Sequence, residues 1–303
     1  MKKEHLGIFI MIISAITFSV AIILMKVIPE LTQLPPEHVA IWRFIIGAPA
    51  FWILSKLHTP QKEVEKNPPW RYIATGMVFS VANFCAVFAL ARLSSSIYVI
   101  ILNLSPAFVV LYALFTGRSV PKLYWLGLPL TIIGLILTSF EFGSNLTINP
   151  EGLVIALINA VAFSSFMILS EKVFTQKKNR INGTSWIMTG AMLTGLVTIP
   201  FLGISLPESA SGWILILTLG IIGGAVPIYT MNVGIQLIGS ARGSVITSLI
   251  PVLTVLFSTL FLHEILSVQQ WIGGVLVIIA VVLLQRSPDH VNKPHELPLH
   301  LAE

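Results

Sequence analysis

Unbroken apolar runs of about twenty residues recur from end to end of this 303-residue chain. A run of that length, coiled as a helix rising 1.5 Å per residue, spans the roughly 30 Å hydrocarbon core of a bilayer. Lipid offers no water to satisfy free amides and carbonyls, so only helices and closed barrels, which close their own hydrogen bonds, span it. The short alternating strands of a barrel are missing from the sequence. Ten runs are present, at roughly 6–26, 38–56, 71–91, 94–116, 123–140, 152–172, 184–203, 213–236, 242–262 and 269–285. Only 10% of the residues are charged and 55% are apolar, whereas water-soluble domains carry about 25% charged residues. The chain is therefore expected to be an all-α integral membrane protein with ten transmembrane helices.

The cations set its orientation. With the N-terminus inside, the cytoplasmic loops hold Lys2, Lys3, Lys56, Lys62, Lys66, Arg71, Arg118, Lys122, Lys172, Lys177, Lys178, Arg180, Arg286 and Lys293, fourteen of the eighteen Lys and Arg residues. Arg92 and Arg242 are assigned to the opposite loops, Lys26 to a helix end and Arg43 to the interior of a span. The positive-inside rule then places both termini in the cytoplasm, as an even number of spans requires, and the expected location is the cytoplasmic (inner) membrane. The net charge of +5 comes without a basic patch interleaved with aromatics, so no nucleic-acid partner is expected. The first run follows Lys2-Lys3 but is too long for a signal peptide and lacks a small-residue cleavage site, so it reads as a retained span. Cys85 is the only cysteine, which rules out an intrachain disulfide.

The chain also carries one pattern twice. LNLSPAFVVLYALF, with Pro106, returns 145 residues later as SLIPVLTVLFSTLF, with Pro251, and each copy leads through a polar break into YWLGLPLTIIGLIL or QWIGGVLVIIAVVL. Laying residues 5–27 on 150–172 pairs Ala15 with Ala160, Phe18 with Phe163 and Ser19 with Ser164; further on, Trp125 pairs with Trp271 and Gly127 with Gly273. An odd number of spans per repeat obliges the second copy to cross the bilayer upside down. The expected organisation is two inverted five-helix repeats, 1–140 and 152–286, an extracytoplasmic connector 141–151 rich in Gly, Asn and Pro, and a disordered cytoplasmic tail 287–303. His290, His295 and His300 in that tail lack an accompanying Cys or carboxylate cluster and read as solvated.

HEILSVQQWIGGVLVIIAVVLL, residues 263–284, has a Glu, a polar turn, a Trp, glycines and a hydrophobic helix. It resembles the ending of each domain in the drug/metabolite transporter superfamily, in its EamA-domain branch, and Pro106, Pro251, Lys26 and Arg43 match that pattern too. The resemblance covers about residues 5–286. The first copy departs from it, with Ser119 where the second has Glu264 and with Leu128 and Pro129 replacing Gly274 and its neighbour. The resemblance implies a ten-helix carrier that exports or exchanges small metabolites, amino acids or drugs through a cavity lined by helices 1, 3, 4, 6, 8 and 9.

Polar side chains near span centres are costly in hydrocarbon and usually face protein or a water-filled cavity. The candidates are Ser14, Thr17 and Ser19 in the first span, Ser80 and Asn83 in the third, Asn103 and Ser105 in the fourth, Asn159, Ser164 and Ser165 in the sixth, Tyr229 and Asn232 in the eighth, and Thr247 and Ser248 in the ninth. A hydroxyl can instead bond its own helix backbone or glue two helices; a carboxamide has more bonding groups than its own helix satisfies. Pro106 and Pro251 each remove an amide donor mid-span, freeing a carbonyl near Leu102 or Thr247, and read either as packed kinks or as hinges. The glycines 220, 223 and 224 with Pro227 suggest a similar bend. Arg43 suits bidentate capture of a substrate carboxylate, or capping of helix-end carbonyls. Lys26, Glu171 and Glu264 read as interfacial anchors, with Ser267 to Gln270 capping the last helix.

No acidic residue lies near a span centre, and no phosphate loop or His-Glu-x-x-His pattern exists, so no cofactor, metal or catalytic activity is expected. The partners expected are the lipid bilayer and a small-molecule substrate, moved across the cytoplasmic membrane by alternating access, with export as the direction. A membrane-embedded enzyme acting on a lipid-linked substrate and a passive channel stand as the alternatives. Oligomeric state is not legible.

Overall fold

The computed structural model describes residues 3–57, 67–93, 98, 101–118, 122–139, 149–174, 180–262 and 267–285, with no strand among them. The helices are α1 (Lys3–Thr32), α2 (Pro36–Leu57), α3 (Pro69–Leu90), α4 (Ser105–Phe115), α5 (Lys122–Ser139), α6 (Pro150–Phe174), α7 (Arg180–Leu202), α8 (Ala210–Thr218), α9 (Val226–Thr247), α10 (Leu249–Leu262) and α11 (Val268–Gln285), with a π-helical turn, Leu219–Ala225, joining α8 to α9. Each of the ten apolar runs holds helix. Among the described residues, six stretches are long and apolar enough to cross a membrane: α1, α2, α3, α6, α7 and Ala210–Thr247. The protein is an all-helical, multi-pass membrane protein.

Local chemistry sets the helix ends. Proline opens α2, α3 and α6, where a helix has no use for the missing amide. Ser209 caps α8 through its Oγ, 3.0 Å from the Gly212 amide. Ser267 and Gln270 form the expected reciprocal cap of α11, at 2.9 and 3.2 Å. Gly239 is the decisive break: at φ 81° and ψ 162° it turns the chain inside α9, a conformation a side chain resists, so Val226–Ile238 and Ser240–Thr247 are separate helical pieces. The aromatic core of Phe44, Tyr72, Phe79, Phe166 and Phe174 is buried. Phe115, Phe201, Trp125 and Trp271 point outward, as a lipid-facing surface allows.

Close packing runs along glycines. On α3 and α7, Gly76 and Gly190 bring backbone to backbone, leaving no room for a side chain on either. Helices α2 and α7 run antiparallel: Ser185 donates to the Phe51 carbonyl at 3.2 Å toward one end, and Ile41 meets Gly195 toward the other. Helices α5 and α11 do the same, with Gly134 against Gly273 and Gln269 donating to the Leu137 carbonyl at 3.2 Å.

Three sets of contacts occur twice, always 145 residues apart. Ser19 donates to the carbonyls of Ala15 (2.7 Å) and Ile250 (3.0 Å), and Ser164 donates to those of Ala160 (2.6 Å) and Ser105 (3.1 Å). Ile250 and Ser105 each precede one of the paired prolines. Ser14 donates to the Pro227 carbonyl at 2.8 Å, and Asn159 donates to the Ala82 carbonyl. Gly7 lies on Ile238 as Gly152 lies on Leu93. One set of contacts thus ties α1 to α9 and α10, and its twin ties α6 to α3 and α4.

Two expectations change. Arg242, assigned to the loops opposite the N-terminus, forms an ion pair with Glu4 in the first turn of α1, so it lies on the same face as the start of α1. Pro106 and Pro251 do not kink continuous helices: they sit at the second and third residues of α4 and α10, where the chain has already broken. The Leu102 carbonyl that Pro106 leaves free accepts the Ser105 hydroxyl.

Candidate functional site

Arg43 lies two turns into α2 and is 3% exposed. Its guanidinium reaches across three neighbouring elements. Nη2 donates to the Gly223 carbonyl at 2.6 Å and Nη1 to Asn83 Oδ1 at 3.2 Å, with the Met25 sulfur at 3.6 Å, while Nε has no partner. Pro227, four residues on, withholds the amide that an α-helical register would offer the Gly223 carbonyl, which accepts from Arg43 instead. Glycine at 224 keeps that side of the arginine stem clear, since a Cβ there would lie 3.3 Å from the Arg43 Cγ. The Phe18 and Phe44 rings wall the guanidinium at 5.9 Å each. All its partners are neutral; no carboxylate among the described residues pairs with it.

Asn83 connects Arg43 to α3 and α6. Its amide nitrogen bonds the Phe79 carbonyl at 2.9 Å, leaving Oδ1 for the arginine. The preceding residue, Ala82, takes the Asn159 amide, so Asn159 Oδ1 is left buried and without a partner. Ser80, one turn before Asn83 on the same face of α3, is fully buried with an unpartnered Oγ. Arg43 and Asn83 are thus in direct contact across α2 and α3, and Asn159 of α6 and Ser80 flank Asn83 along α3, at the neighbouring Ala82 and one turn before it.

The other expected residues fall elsewhere. Tyr229 and Asn232 on α9 form a second cluster: Asn232 is fully buried, donates to Thr184 Oγ1 at 3.4 Å and keeps an unpartnered Oδ1, while Tyr229 packs on Phe51. Ser14, Ser105 and Ser164 serve the helix contacts described above. Thr17, Ser165 and Thr247 bond carbonyls of their own helices. Asn103 is buried ahead of α4, and Ser248 is buried with an unpartnered Oγ between α9 and α10. The Lys26 side chain and Glu264 lie outside the described residues.

Sequence reading missed Thr184, and it missed the part played by Glu171. Rather than anchoring at the interface, Glu171 pairs with Arg118 at 2.9 Å and accepts from the Ser240 hydroxyl and amide just after the Gly239 break. Nearby Arg180 donates to Gln236, which donates to the Phe174 carbonyl. The missed signal for Gly223 was available: the carbonyl arithmetic applied to Pro106 and Pro251 applies equally to Pro227. Cys85 lines an apolar groove of about 320 Å³ between α3 and α7, with Phe84, Phe88 and Phe201. The two threonines there bond their own helix, so the groove offers a solute no polar group.

The EamA-like transporter family matches this chain twice, over residues 5–140 and again over 150–286. The chain belongs to that family. Among its relatives, the uncharacterized transporter YdfC of Bacillus subtilis is 22% identical over 85% of this chain and 84% of its own length. The pseudopaline exporter CntI of Pseudomonas aeruginosa is 23% identical over 93% of this chain and 96% of its own. A protein of known crystal structure superposes with a TM-score of 0.73 over 92% of this chain and 95% of its own, at 18% identity, and so shares the fold. This EamA-like chain is a membrane transporter by family, and its named relatives are transporters rather than enzymes.

Proposed function

We propose that this EamA-like protein is a secondary carrier that exports a small organic metabolite, such as an amino acid or a drug, across the cytoplasmic membrane by alternating access. Its units are two inverted five-helix halves, residues 1–140 and 152–286, with a connector at 141–151, a cytoplasmic tail at 287–303 and both termini inside. The inversion is supported by the antiparallel packing of α2 on α7 and of α5 on α11, and by the contacts that recur 145 residues apart. Exporter is the direction named for CntI. Pro106 and Pro251 act as paired hinges where the chain breaks.

The observation that carries the reading is the place of Arg43: a buried charge, two turns inside α2, held where α2 of the first half meets the Gly223 carbonyl of the second. A group that touches both halves senses their relative motion, which alternating access requires. Uptake of radiolabelled solute into proteoliposomes tests this. A carrier saturates and shows counterflow driven by unlabelled solute inside; a channel does neither. Conversion of a lipid-linked substrate without solute movement would instead favour the membrane-embedded enzyme.

A further inference from the structure

We propose that Arg43 and the polar groups beside it are a binding site for a carboxylate, so that the solute of the carrier proposed above is an organic acid or zwitterion rather than a bare cation. The inference rests on the carrier reading and narrows it to a substrate class.

Four features carry it. The Arg43 guanidinium is 3% exposed, and its partners are an amide oxygen, a backbone carbonyl and a thioether, none of which neutralises its charge. Desolvating a cation without a counter-charge is strongly unfavourable, so a site of this kind is completed by an anion from outside the chain. The two contacts to Gly223 and Asn83 fix the guanidinium plane and leave Nε as an unused donor. A carboxylate suits such a plane because its two oxygens accept from adjacent N–H groups of a guanidinium. Finally, Asn159 Oδ1 and Ser80 Oγ are also buried and unpartnered, and lie along the same stretch of α3 and α6. Asn159 Oδ1 can only accept, so it fits a donor on the remainder of the solute, such as a protonated amine or a hydroxyl. The elements that meet here belong to both halves of the chain, so an anion bound at Arg43 lies where one half moves against the other.

The test uses the purified full chain in lipid nanodiscs, with thermal unfolding followed in the presence of a panel of L-amino acids and the carboxamides of the same compounds. At least one acid is expected to raise the unfolding temperature, its carboxamide to lose that shift, and Arg43→Gln to bind the acid roughly tenfold or more weakly. Glutamine removes the uncompensated charge but ends two bonds short of the group that reaches Gly223, so the response of each variant is read as a shift from its own unfolding temperature without solute. Arg43→Lys, which keeps the charge but not the fork, is expected to retain part of the response. No response to any acid, equal response to acid and carboxamide, or an undiminished response in both Arg43 variants would overturn the proposal. The two readings fail separately: saturable counterflow of a solute without a carboxylate sinks the anion site and leaves the carrier, and acid-selective binding through Arg43 without counterflow does the reverse.

Discussion

A methyl group at Gly76 would lie 1.8 Å from the Ile187 carbonyl oxygen, and one at Gly190 would lie 2.0 Å from that of Ile73. Backbone on both sides leaves nothing to rotate away, so Gly76→Ala or Gly190→Ala should exceed the ~1–3 kcal/mol of ordinary overpacking, read as loss of a monodisperse folded peak in detergent. Gly117 gives the contrast: nothing lies within 4 Å and only its φ of 72° resists a side chain, so Gly117→Ala should cost about 1 kcal/mol and keep the peak. The paired serines allow a matched test. Ser19→Ala and Ser164→Ala each remove one bond between helices, and equivalent surroundings should make their losses equal within the about 0.6–2 kcal/mol range for such bonds in membrane helices. A several-fold difference in unfolding free energy between the two would show the halves to be unequal there. None of these glycine roles was legible beforehand, because a glycine that admits a neighbouring backbone and one that ends a turn look alike in a chain.

Helix ends gather what the spans do not use. Arg118 follows α4, Glu171 sits in the last turn of α6, and Ser240 follows the Gly239 break, yet the three meet, and Glu4 with Arg242 ties the start of α1 to the same face. Both pairs join the first half to the second, so they brace the N-terminal face of the bundle. The outward-facing pair Arg92 and Glu151 is far more exposed, Glu151 by 75%, and is screened accordingly. Glu171→Gln should therefore loosen the brace. In a Cys85→Ala background, a cysteine at position 244, buried behind it, should then react several-fold faster with a maleimide applied to the face that carries the start of α1. An unchanged rate would mean that the brace does not control access. Sequence placed Glu171 at this border but not in this role, since its partners are 53 and 69 residues away.

At the scale of the molecule, the halves interlock: α1 lies on α9 as α6 lies on α3, and α2 and α5 pack against their own counterparts. Affinity tags fused to the two ends should accordingly both be reached by antibody only after the inner face is opened, as in inverted vesicles. Exposure of the two tags on opposite sides would break the proposed even-numbered topology. Cysteines at positions 41 and 195, and separately at 51 and 185, should each cross-link, which a parallel α2 and α7 would forbid for one pair. The sequence alone determined that this chain lives in lipid, that it is helical and that it carries one pattern twice. Those properties follow from run length, charge content and local repetition, which need no knowledge of neighbours. Tertiary structure decided which polar groups keep free bonds. Ser14, Ser105 and Ser164 proved to be fasteners, whereas Arg43 and Asn159 retain buried atoms with no partner. Whether a buried donor is satisfied depends on carbonyls supplied by helices distant in the chain, and only packing brings those together.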